Sequence, residues 1–68
     1  MENLIEGLQT EMNRVREIIK EYESLPGGAG LLASGFMKGS IKSAERAISS
    51  GDTVEMLRSY KALQEYEL

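Results

Sequence analysis

The run LPGGAGLLASGFMKG, residues 25–39, decides how this chain folds. It holds five of the seven glycines and the only proline. Segments with helical patterning flank it on both sides. The proline pushes Leu25 out of the α region, so a helix arriving from the N-terminal side stops at Leu25–Gly28. Beyond the turn the pattern is helical again, with Gly35 and Gly39 inside it. Glycine costs a helix about 1 kcal/mol relative to Ala. Two of them in one helix call for close approach of something to its backbone. That something is another helix or a ligand, and the sequence leaves the choice open.

Working outward, residues 2–24 read as one helix. Ile5, Leu8, Met12, Val15, Ile19 and Tyr22 are spaced 3 and 4 apart in alternation, a heptad seam. Leu4, Ile18 and Leu25 widen the stripe, which suits a bundle core better than a two-stranded zipper. Glu6, Arg14, Glu17 and Glu21 take the opposite face. Glu2 and Glu6 favour the positive end of the helix dipole, while Glu17 and Glu21 repel. At 1.5 Å per residue the helix is roughly 34 Å long, more than two shorter helices cover along its whole length. The surplus predicts a homo-oligomer.

A second helix is expected over residues 30–50, with Ala33, Met37, Ile41, Ala44 and Ile48 as its core stripe. Gly51 supplies the left-handed residue that closes a helix. Asp52 and Glu55 have the spacing of a capping box, which starts a third helix over residues 53–66. Its buried arc is Met56, Leu57, Tyr60 and Leu63. The short link at Gly51–Asp52 makes helices two and three a hairpin. The fold class is therefore all-α. A long N-terminal helix and a helical hairpin form one domain over residues 1–68, which assembles as an oligomeric helical bundle.

Composition narrows the function. Sixty-eight residues bury only about 60% of their unfolded surface. With no Cys and no His, neither disulfides nor thiolate or imidazole metal sites supply support, which again leaves oligomerisation. The net charge of −3 argues against long nucleic acid as a partner. No run of about 18 apolar residues predicts a membrane span, and the start lacks a basic signal-peptide region, so a cytoplasmic protein is expected. The single Asp is spent as a cap, and the glutamates are spread over exposed faces, so no catalytic residue, cofactor or metal is expected.

Two glycine motifs are rejected. Gly28, Gly30 and Ala33 have dinucleotide-fingerprint spacing, but no strand precedes them. Gly30 and Gly35 begin like a phosphate loop, but Phe36 and Met37 stand where Lys and Ser or Thr are required. A plainer anion site remains. The amides of Gly27, Gly28 and Gly30 lead into helix two with no acidic residue before Glu45, and free amides at a helix N-terminus attract anions. The alternative is a plain, water-covered glycine turn. On a helical wheel Gly35, Gly39, Lys42 and Arg46 fall within about 60°, with Lys38 just beyond. Residues 25–50 are thus net basic in an acidic chain. This face reads either as a solvated surface with Glu45 pairing locally or as a ligand surface. Gly35, Gly39, Ser43 and Ala47 also form a small-residue row that permits close helix contact, with helix one or with a symmetry mate. Tyr60 is a candidate to stack on a base, although tyrosines on apolar faces commonly form core edges.

The segment LPGGAG at 25–30 followed by IxxAExAIxSGDxVxMLRxY at 41–60 resembles small proteins encoded by phages and prophages. The resemblance covers about half of the chain. It implies immune evasion inside a bacterial host. One class of such proteins forms helical oligomers that sequester nucleotide signals of bacterial defence. Another binds host proteins directly. The resemblance assigns no individual binding residue.

These observations lead to an expected function: a small oligomer that sequesters cyclic-nucleotide signals without catalysis. The candidate ligand residues are Gly27, Gly28, Gly30, Lys38, Gly39, Lys42, Arg46 and Tyr60. The alternatives are a protein-interaction inhibitor of a host defence complex, its acidic faces meeting a basic partner, and a structural assembly protein.

Overall fold

Asn3 opens the first helix by accepting a 2.8 Å hydrogen bond from the Glu6 amide on its side-chain oxygen, an N-cap that occupies an otherwise orphan donor. The structure is a computed structural model and describes residues 3–68. The expected start at residue 2, with its Glu2 charge, lies outside the described residues. Helix α1 runs Leu4–Glu23, α2 runs Leu31–Ser50 and α3 runs Thr53–Gln64. Among the described residues there is no strand. The chain is all-α, as the patterning predicts, and all three pairs of helices pack against one another.

The turn between α1 and α2 is a 3₁₀ turn, Pro26–Gly28. Gly27 and Gly28 hold φ at 68° and 73°, in the left-handed region that side chains disfavour. Gly30 follows as the N-cap of α2 and makes no side-chain cap bond. It is buried, and a Cβ placed on it would lie 2.1 Å from the Tyr22 carbonyl oxygen. The end of α1 thus presses on the start of α2, and only a glycine fits between them. Helix packing, not a ligand, accounts for Gly30.

At the second turn Gly51 is left-handed at φ 69°. Its amide donates to Ile48 and the Asp52 amide to Ala47, each at 3.2 Å, a Schellman closure. The Asp52 carboxylate accepts from the Glu55 amide at 3.1 Å. The expected capping box is only half made, because the Asp52 amide is already taken by Ala47 and the Glu55 carboxylate pairs with Arg58.

The core holds Leu8, Met12, Val15, Ile18 and Ile19 from α1, Met37, Ile41, Ala44 and Ala47 from α2, and Met56 and Leu63 from α3. Several expectations change here. Ile5 is exposed and Ile18 is buried in its place, because α1 packs on two neighbours and its buried arc turns toward both. Leu57 is exposed and Ser59 buried. Helix α3 stops at Gln64, not at Tyr66. Arg14, expected on a solvated face, reaches across to carbonyls at and just past the end of α3, Leu63 at 2.8 Å and Tyr66 at 2.7 Å.

The apolar seam of α1 is therefore consumed within one chain. It leaves no long uncovered stripe, only Ile5 and Leu25 at its two ends, so the seam by itself does not call for a second copy. The chain is somewhat extended for its length. The radius of gyration is 12.4 Å, against about 11 Å for an average compact chain of this length. The surface exposed to solvent is 4691 Å², against about 4,250 Å² for a folded monomer of 7.5 kDa.

Candidate binding groove between α1 and α2

The residues flagged on α2 do not act as one surface. Lys38 and Lys42 lie one turn apart and flank Ile41 on the side of α2 that meets α1. There they join Arg16 and Lys20 of α1, also four residues apart. The four cations line a groove of about 510 Å³ whose apolar walls include Ile19 and Ile41. Glu45 is the one carboxylate among the lining residues. The size lies within the range of small-molecule sites.

Local pairing holds three of the four cations in place. Lys38 pairs with Glu23, Lys20 with Glu17 at 3.2 Å, and Arg16 approaches Glu45 at 3.9 Å. All these pairs are substantially exposed, and exposed pairs contribute little to stability. Lys42 has no ion pair among the described residues. It is the cation with its charge uncommitted, and it sits among three others. Against these four cations stand three carboxylates, Glu17, Glu23 and Glu45, so the groove keeps one positive charge in excess in a chain that is acidic as a whole.

The other candidates fall elsewhere. Arg46 lines a different hollow, at the α2–α3 corner, with Ser43, Ala47, Ser49, Ser50 and Glu55. Tyr60 is half-buried on the far side of the bundle. A Cβ on Gly7 would stand 3.1 Å from its ring, and it lines a small crevice with Asn3, Leu4 and Gly7. It is the core-edge tyrosine of the plainer reading and does not meet Lys38 or Lys42 in one pocket. Gly27, Gly28 and Gly30 form the turn and line none of these hollows. A Cβ on Gly35 or Gly39 would meet nothing within 4 Å, so these two face open space, and the expected contact of the small-residue row with helix one is not made. Ala47, the last of that row, is buried instead.

Arg16 and Lys20 are the residues that sequence reasoning missed. The signal was present: both helices carry a cation pair at spacing four, Arg16–Lys20 and Lys38–Lys42, and the α1–α2 turn makes the helices antiparallel. Comparisons of the chain with protein-family models, with curated proteins and with solved structures find no match. No helix among the described residues is long and apolar enough to cross a membrane.

Proposed function

We propose that this chain is a nucleotide-binding protein that sequesters a small phosphate-bearing signal, of the cyclic-nucleotide class, without transforming it. The observation that carries the reading is the α1–α2 groove, where Arg16, Lys20, Lys38 and Lys42 converge over Ile19 and Ile41 in a chain of net charge −3. Phosphates would take the ammonium and guanidinium groups, Lys42 first. A base would lie against the aliphatic stems of the lysines and the edges of Ile19 and Ile41, each 6% exposed, in place of the stacking expected from Tyr60. A groove of this size suits a ligand with one to three phosphates better than a polymer, which needs a continuous basic track. The protein acts as a homo-oligomer in this reading, and the cytoplasm of a bacterial host is the compartment it implies.

Titration calorimetry with a panel of cyclic and linear nucleotides tests the proposal. Saturable binding at about one ligand per groove is the expected result. No heat from any member of the panel would overturn it. A second reading, docking of a basic protein segment, draws on the crevice of about 370 Å³ that Glu17, Glu21 and Glu67 share with Arg14, Ile18 and Leu68, a rim with three carboxylates against one guanidinium. A silent nucleotide panel moves the weight to that face.

A further inference from the structure

The outer face of α2 carries large and small side chains in alternation. Leu32 and Phe36 are 76% and 64% exposed. Gly35 and Gly39 beside them open onto free space, and Ser43 continues the small row one turn on. Leu32, Gly35, Phe36 and Gly39 fall within roughly 100° on the helical wheel, on the side away from Met37, Ile41 and Ala44. Nothing within the chain requires either glycine, and each weakens the helix it sits in. Among the described residues nothing covers the two large side chains.

We propose that this face is covered by the same face of a second copy, with the two α2 helices antiparallel about a two-fold axis. A surface that bears both knobs and holes, four residues apart, is complementary to itself under such an axis. With the axis crossing between positions 37 and 38, Phe36 meets Gly39 of the partner subunit, and Leu32 meets Ser43 of the partner subunit. Both contacts occur twice by symmetry.

Area points to the same occupant. The chain exposes 4691 Å², about 440 Å² more than the roughly 4,250 Å² of an average monomer of its mass. A standard interface hides about 800 Å² on each partner, and covering Leu32 and Phe36, 76% and 64% exposed, would supply part of that area. A second copy supplies the required complement with no further partner. The pairing rests on the homo-oligomer part of the proposed function and is independent of the ligand.

The test uses the intact chain, which has no native cysteine. Sedimentation velocity should give wild-type protein the mass of at least two chains. Phe36→Glu should halve that mass while its circular dichroism stays that of wild type, because Phe36 contributes little to the fold of one chain. Gly39→Cys lies beside the axis and should form a reducible dimer under mild oxidant well before Gln9→Cys, placed on an exposed position of α1. If wild type is multimeric while Phe36→Glu keeps its mass, or Gly39→Cys couples no faster than Gln9→Cys, the pairing of α2 faces is wrong and assembly uses another surface. If wild type stays monomeric at high micromolar concentration, the pairing and the oligomeric reading fall together, and the calorimetric result for the groove stands by itself.

Discussion

The guanidinium of Arg14 donates to the carbonyl of Tyr66 at 2.7 Å, fifty-two residues further along the chain. The same group reaches the Leu63 carbonyl at 2.8 Å and is braced by Glu11 at 3.0 Å. Tyr66 in turn sets its hydroxyl 2.8 Å from the Ser40 hydroxyl on α2. Carbonyls at and just beyond the end of α3 thus find a cation on α1, where the helix dipole favours one, and Tyr66, two residues past α3, is tied to α2. This junction joins all three helices.

Removing it should be costly. Hydrogen bonds to charged groups are worth about 1.5–3 kcal/mol, and Arg14 makes two to the α3 terminus. Arg14→Ala is expected to lower the unfolding free energy by about 2–3 kcal/mol. Arg14→Lys should recover part of this, since an ammonium keeps the charge without the planar fork. Urea denaturation followed by circular dichroism measures both. Equal stability of Arg14→Ala and wild type would mean that α3 is held by its apolar face alone.

The glycines separate into required and unrequired positions. Gly30→Ala places a Cβ 2.1 Å from a backbone oxygen. The strain should cost about 1–3 kcal/mol or more, with a clear fall in melting temperature. Gly35→Ala meets open space and should stabilise the isolated chain by about 0.5–1 kcal/mol. Opposite signs for these two variants in one thermal-melting series are the outcome that supports the placement of both.

Much of the fold is legible in the sequence because it rests on local chemistry. The Pro26–Gly28 turn, the Gly51 closure and the Asp52 cap are each written in a few adjacent residues. What stays hidden is tertiary. Arg14 looks like a surface cation until α3 is seen to end beside it. Ile5 and Ile18 exchange roles because the direction of the second neighbour turns the buried arc. Gly30 and Gly39 are identical in sequence terms, yet one touches the α1 backbone and the other touches nothing. The site divides in the same way. Lys38 and Lys42 could be found from their own helix, whereas Arg16 and Lys20 become part of the groove only through the antiparallel packing of α1 on α2.

The α3 cap provides a graded test. Asp52→Ala should cost about 0.5–2 kcal/mol. Glu55→Gln should cost less than about 0.5 kcal/mol, because it loses only an exposed pair with Arg58. Because Gln also completes a capping box, a large effect of Glu55→Gln on thermal stability would mean that the pair with Arg58 contributes more than an exposed pair ordinarily does.

Val15 is fully buried among the helices of one chain. Val15→Glu puts a carboxylate into that core at a cost of several kcal/mol, against a total stability of about 5–15 kcal/mol for a typical domain. Loss of helicity should be the same at low and at high protein concentration. Recovery of helicity on concentrating the variant would place Val15 at a contact between copies.

The groove makes the final prediction. Lys42 brings an uncommitted charge, and Lys20 reaches the same groove from the other helix. Lys20→Ala combined with Lys42→Ala should weaken cyclic-nucleotide binding at least tenfold in calorimetry, the loss of roughly 1.4 kcal/mol or more. Melting temperature should hold within the error of the measurement, since the only ion pair removed is the exposed one between Lys20 and Glu17. Arg46→Ala and Tyr60→Phe change residues outside the groove and should bind as wild type does. Added salt should weaken binding through screening over a Debye length of about 8–10 Å, and less steeply than for a polymer that neutralises many phosphates. If Arg46→Ala abolishes binding while the lysine pair does not, the ligand sits at the α2–α3 corner with Ser43, Ser49 and Ser50, and the groove between α1 and α2 is not the site.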